Sequence, residues 1–179
     1  MPSMQNLNFS ETIEYWGDRL GKLPKDHIDH LGLDKDTSYF LTAVGLPNTL
    51  DEIGKAIEIN FYFDRERIVR KEFKGVSYVV IGDDVGTKFG ISLNDRGVYT
   101  LDFSDSMGID PICFVNSNIN RFVDSIQLFI DIKKMSEHNA ATDNELTELL
   151  KAKIVSIDKE ALADERTWWG QIINDLISG

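Results

Sequence analysis

The middle of the chain alternates. In "IEINFYF", Ile57, Ile59, Phe61 and Phe63 alternate with Glu58, Asn60 and Tyr62. A period of two predicts a strand with one buried and one wet face, and it turns Tyr62 away from the Phe61 side. "VSYVVIG", Val76 to Gly82, is apolar on both faces and predicts a central strand. "FGISL" and "VYTLDF" flank the turn "NDRG" and predict a hairpin. A two-residue loop at Asp95-Arg96 sets Phe89 opposite Asp102. A three-residue loop ending in a left-handed Gly97 instead pairs Leu93 with Tyr99, Ile91 with Leu101 and Phe89 with Phe103. The second register makes one face wholly apolar, so it is the one expected. It leaves Gly90, Ser92, Thr100 and Asp102 as a small-residue outer face, with room for another backbone or a flat side chain. "PICFV" from Pro111 predicts a further strand, its proline marking an edge or a first residue.

Helical spacing lies on either side of these strands. Ser10 to Leu20 predicts a short helix, N-capped by Ser10, with Ile13, Trp16 and Leu20 as its stripe. Thr37 to Val44 predicts a second, ended by Gly45 and kept from returning by Pro47. After Asn116-Ser117, residues Ile119, Phe122, Val123, Ile126, Phe129 and Ile130 follow the i, i+3, i+4, i+7 rule of the longest helix. Thr142 and Glu145 form a capping box before "LTELLKAKI". Near the end, Trp169, Ile172, Ile173 and Leu176 share one helical face. Helices, then strands, then helices argue an α+β fold: a mostly antiparallel curved sheet with helices packed on one face. The 179 residues show no repeat or Pro/Gly-rich linker, so a single domain over 1–179 is expected.

Charge narrows the partners. The formal net charge is -11. Direct binding of DNA or RNA calls for a basic patch, so it is not expected; a negative field steers basic partners instead. One cysteine, Cys113, excludes an internal disulfide framework and suits a reducing compartment. No signal peptide is read, and no apolar run approaches the roughly 20 residues of a membrane span. A cytoplasmic protein follows, a monomer or weak dimer.

Catalytic signatures are missing. Asp83-Asp84 opens no calcium loop, because the alternating oxygen ligands and closing glutamate are lacking. His27 and His30 could share a helix face, yet no third zinc ligand is signalled, so solvated or capping histidines are expected. Cys113 sits in an apolar strand with no base beside it and reads as a packed core cysteine. Trp168-Trp169 reads as core packing with one ring partly exposed. "GDDVGTKFG" has neither the lysine of a phosphate loop nor the dinucleotide pattern. No metal, cofactor or catalytic residue is assigned. What remains is an acidic run from Gly82 to Asp105, with Asp83, Asp84, Asp95, Asp102 and Asp105 opposed by only Lys88 and Arg96. These aspartates either meet a basic partner or are the ordinary aspartates of turns. With Tyr62 as an aromatic anchor, they are the candidate partner-binding residues.

Four blocks in order carry a family likeness: "SYFLTAVGLP", "YVVIGDDVGTKFGISLNDRGVYTLDF", "FVNSNINRFVDSIQLF" and "WWGQII". Together they resemble the SUKH superfamily (Smi/Knr-like), and within it the fourth family of bacterial immunity proteins. The likeness runs from Thr37 to the end; residues 1–35 carry little of it beyond the tryptophan helix. Where the family tends to read Asn-Ser-Ser-hydrophobic, this chain has Asn118 in the third place. The resemblance implies an α+β fold, no reaction centre, and non-covalent inhibition of a cognate toxin effector, often a nuclease or deaminase. The alternative it implies is a regulatory protein-interaction scaffold that neutralises no toxin. A basic toxin would suit the charge of this chain.

Overall fold

The computed structural model describes residues 9–48, 50, 57–84, 86–104, 111–138 and 142–178. Helix α1 spans Ser10–Trp16 and runs into a 3-10 turn, Gly17–Arg19. Phe9 occupies its N-cap and no side chain caps it, so Ser10 is the first helical residue rather than the cap. After β1 (Leu20–Gly21) and α2 (Lys25–Ile28), α3 covers Lys35–Tyr39. It starts two residues before the expected Thr37 because the Asp34 carboxylate accepts from the Asp36 and Thr37 amides. The chain then widens into a π turn, Phe40–Val44, closed by the Gly45 N–H on the Phe40 carbonyl at 2.7 Å. Gly45 sits at φ 106°, and a Cβ there would lie 2.6 Å from the Gly21 carbonyl oxygen, so only glycine fits. That close approach is where β2 (Leu46–Pro47) pairs antiparallel with β1.

The main sheet has six strands: β3 (Asn60–Phe61), β4 (Arg70–Phe73), β5 (Val76–Asp84), β6 (Thr87–Ser92), β7 (Val98–Leu101) and β8 (Ile112–Asn116). Their order is β3-β5-β6-β7-β8, with β4 also on β5, and every pairing is antiparallel. The central-strand expectation for β5 holds: Tyr78 to Ile81 are at most 3% exposed. The alternation from Ile57 to Phe61 holds in burial, although only Asn60 and Phe61 pair with a neighbour. A bulge between Val80 and Gly82 leaves Ile81 as an extra residue and coils the sheet.

The hairpin register differs from both sequence alternatives. Ile91 faces Val98, Gly90 faces Tyr99, Phe89 faces Thr100 and Lys88 faces Leu101. The loop has four residues, Leu93 to Arg96, bracketed by Ser92 N–H to Gly97 O at 2.9 Å and Arg96 N–H to Ser92 O at 3.0 Å. Arg96, not Gly97, takes the positive φ. Polar side chains build this longer turn. Ser92 Oγ accepts from the Asn94 and Asp95 amides, and Asp95 Oδ1 accepts from the Gly97 amide. The slip moves Tyr99 and Leu101 off the face of Phe89 and Ile91. The assumption that failed was that only one face is buried. Tyr78 is 3% and Leu101 0% exposed on the outer face, and Phe103 folds back over that face to meet Phe73 of β4 at 4.6 Å. The room expected over Gly90 is filled from within, since a Cβ there would lie 2.8 Å from Leu101 Cδ1 and 3.1 Å from Tyr78 Cβ.

On the other face pack α4 (Ile119–Glu137) and α6 (Trp168–Ser178), and α5 (Asp143–Ile157) packs on both of them. Asn118 caps α4 by accepting from the Arg121 amide at 2.9 Å, and Thr142 with Glu145 forms the expected capping box on α5. Phe122 is the hub between layers, with ring centroids 5.8 Å from Phe61, 5.1 Å from Phe89 and 5.9 Å from Trp168. Both tryptophans of α6 are core, Trp168 at 7% and Trp169 at 0% exposure, so neither ring is the exposed one expected. The fold is α+β, with an antiparallel sheet and a helical layer.

Candidate protein-binding face

The outer face of the sheet carries two polar groupings, at opposite ends of β6. At one end Asp83 lies opposite Lys88. Tyr62 donates its hydroxyl proton to Asp83 Oδ2, Lys88 Nζ lies 2.8 Å from that hydroxyl and 3.2 Å from the carboxylate, and Asn60 adds a bond at 3.2 Å. Tyr62 does point away from Phe61, but its ring is 3% exposed, with the Arg67 guanidinium 4.5 Å from its centroid. It supports this cluster from below and is not an exposed anchor. Burial opposes ionisation of Asp83, yet the bonds from Tyr62, Lys88 and Asn60 outweigh it and hold its pKa below the ordinary range.

Asp84, next in β5, turns to the helix side and accepts from the Trp168 indole at 3.1 Å. Burial pushes its pKa up, helped by the charges of Glu58 and Asp83 and resisted by the indole. Neighbouring carboxylates thus titrate in opposite directions, because one meets a cation and the other an apolar wall. Asp102 is half-buried and accepts from the Ser104 amide and hydroxyl at 2.8 and 2.6 Å. Asp105 lies outside the described residues.

Asp95 stands apart, beyond the far end of β6, where Lys88 to Ser92 alone spans about 13 Å at the rise of a strand. Besides the Gly97 amide, it accepts from the Tyr99 hydroxyl at 2.8 Å. Burial works against its charge, but the bonds from Tyr99, Gly97 and Ser92 prevail and lower its pKa. Behind it, Tyr78, Tyr99 and Phe114 cross the sheet edge to face, with centroids 5.8 and 5.4 Å apart. A groove of about 380 Å³ opens here, lined by Asp95, Gly97, Phe114, Glu160, Ala163 and Thr167. The five expected aspartates are therefore not one rim. Asp83, Asp84 and Asp102 gather near one end of the sheet, and Asp95 joins a separate groove.

One cluster escaped the sequence reading. The Asp158 carboxylate is fully buried and accepts from Asn116 Nδ2 (3.1 Å), the Ser117 amide (2.6 Å), Ser117 Oγ (2.8 Å) and Arg121 Nη1 (3.3 Å). Asn116 Oδ1 in turn accepts from the Trp169 indole at 2.9 Å. This network ties β8, the start of α4, the end of α5 and α6 together, and it explains the "NSN" block: two residues bind Asp158 and the third caps a helix. The usable signal was a polar triplet leading out of an apolar strand. Elsewhere, His27 Nε2 lies 2.7 Å from the Ile68 carbonyl, a structural role. Cys113 is half-buried on the edge strand and packs against the core, as expected, with Sγ 3.0 Å from the Arg166 carbonyl. Among the described residues no three His, Cys, Asp or Glu side chains are grouped to hold a metal ion, and no helix is long and apolar enough to cross a membrane.

An α+β fold with two polar groupings and an aromatic row on the outer face of its sheet defines the class. The chain belongs to the SUKH-4 immunity protein family, whose model matches residues 10–175. The searches of curated proteins and of solved structures gave no match. Family membership supports an immunity role in general.

Proposed function

We propose that this protein neutralises a cognate bacterial toxin effector without chemistry of its own, by binding it one to one in the cytoplasm and blocking its active surface. Membership of an immunity family over residues 10–175 carries the reading. The net charge of -11 supports a basic partner, such as a nuclease or deaminase with a phosphate-binding surface. The binding surface in this proposal is the outer face with its acidic ends. Exposed Asp95 and half-buried Asp102 face a partner directly; Asp83 and Asp84, held by internal partners, add to the long-range field, as does Asp105.

The test is capture from the native host lysate on the tagged protein, with washes of rising salt. One basic polypeptide held in near-stoichiometric amount is expected. Expressed alone it should arrest growth, and co-expression of this chain should restore it. Capture of several unrelated housekeeping proteins, or of a toxin that the chain fails to neutralise, would overturn the proposal. The first of those results is what a regulatory scaffold predicts.

A further inference from the structure

We infer that the groove between the β6–β7 turn and the segment before α6 receives one arginine side chain of the basic partner. This rests on the toxin-binding reading and specifies where that partner inserts.

The groove combines what a guanidinium needs. Its volume, about 380 Å³, lies at the small end of the range of ligand pockets, roughly 300–1,000 Å³. The Phe114 ring lines it and is held edge-on by Tyr99, which gives a fixed aromatic wall for a planar cation. Asp95 and Glu160 both line it. The Asp95 carboxylate is immobilised by the Gly97 amide and the Tyr99 hydroxyl, one on each oxygen. Those same bonds favour its charged form.

The nearby cations do not fill the groove. Arg121 is bound to Asp158, Arg166 to Asp164, and Arg96 leans toward Asp34 and Asp36. Lys159 approaches Glu160 only at 3.7 Å and is 82% exposed, so solvent and salt compete with that pair. The groove therefore presents two carboxylates and a ring on a chain of net charge -11. A guanidinium satisfies both features at once: it stacks flat on a ring and binds a carboxylate through two parallel N–H bonds. An ammonium supplies the charge without the plane, so lysine is the poorer occupant.

The test needs no toxin. The purified protein, labelled with 15N, is titrated with N-acetyl-arginine amide and followed by amide chemical shifts. N-acetyl-lysine amide and N-acetyl-citrulline amide serve as probes of charge and of shape. Saturable shifts centred on Gly97, Phe114 and Thr167 are expected with arginine. Lysine should bind at least threefold more weakly, and citrulline should cause no saturable shift. Asp95→Asn and Glu160→Gln should each weaken arginine binding by threefold or more. Glu160→Gln changes an exposed side chain, so it keeps the test valid if the turn variant is disturbed. Non-saturable shifts, shifts centred elsewhere, or an equal response to citrulline would overturn the inference. Such a failure leaves the lysate capture standing. Arginine binding without toxin capture would refute the toxin reading alone.

Discussion

Replacing Asp158 by alanine should be among the most damaging single changes outside the apolar core. Its side chain is fully buried and accepts four bonds from three residues. Alanine leaves the Ser117 amide without an acceptor and takes from the Asn116 carboxamide its shorter bond. Asn116 is 0% exposed and keeps one weaker bond, to Ser125 Oγ at 3.3 Å. Each buried donor left unsatisfied costs about 1–3 kcal/mol. Arg121 is 44% exposed, so it returns to water and its half of the ion pair contributes little. The sum is about 3–4 kcal/mol, near the lower edge of what breaking a buried ion pair costs. For a chain of this length that lowers Tm by about 6–16 °C.

The controls fix the mechanism. Ser117→Ala removes one hydroxyl bond and keeps the backbone bond, so it should cost about 1 kcal/mol. Arg121→Ala removes one long charge-assisted bond from the buried carboxylate and keeps the other three, so it should cost about 1–2 kcal/mol, less than Asp158→Ala. Urea unfolding followed by far-UV circular dichroism measures all three. An Asp158→Ala protein within about 1 kcal/mol of the parent, or an Arg121→Ala variant as damaged as Asp158→Ala, would refute donor stranding as the cause.

Other outcomes follow from the same geometry. Gly82→Ala should be worse than Gly90→Ala, because the new Cβ meets the Asn60 carbonyl at 2.6 Å in the first and the movable tip of Leu101 at 2.8 Å in the second; urea midpoints read the order, with about 1–3 kcal/mol expected for Gly90→Ala. Thr142→Ala breaks the capping box and should cost about 1 kcal/mol in the same assay. Asp83 and Asp84 should show opposite pH linkage. The lowered pKa of Asp83 stabilises the fold above the ordinary aspartate value of about 3.9 and fades as pH falls through its folded value, so the deficit of Asp83→Asn shrinks in acid. The raised pKa of Asp84 stabilises below that ordinary value and is lost as pH rises through the folded one, so Asp84→Asn gains on the parent toward neutral pH. Unfolding of both variants across the acid range checks the two signs, and a common sign would refute the assignment.

The architecture was legible where one pattern had one cause. The stripe of α4, the Thr142 box and the β5 run each answer to a single demand, so each appears where its residues predict. Register was not legible, because it depended on two facts that periodicity does not carry. Ser92 and Asp95 use their side chains to lengthen the turn, and Phe103 returns to cover a face assumed to be wet. The candidate site failed in the same way. Counting aspartates between Gly82 and Asp105 treated adjacency in the chain as adjacency on the surface. Strand pleating sends Asp83 and Asp84 to opposite faces, and the length of β6 separates both from Asp95.

The groove has a contributor that no local window could supply. Glu160 reaches it because Asp158, two residues earlier, is fastened to Ser117 at the end of β8. The buried carboxylate thus sets the position of an exposed one, and the two tests are linked through it. If Asp158→Ala still folds, it should lose arginine binding although it leaves Asp95, Phe114 and Glu160 unaltered in sequence. Retained binding in that variant would mean that the segment holding Glu160 is positioned by something other than Asp158.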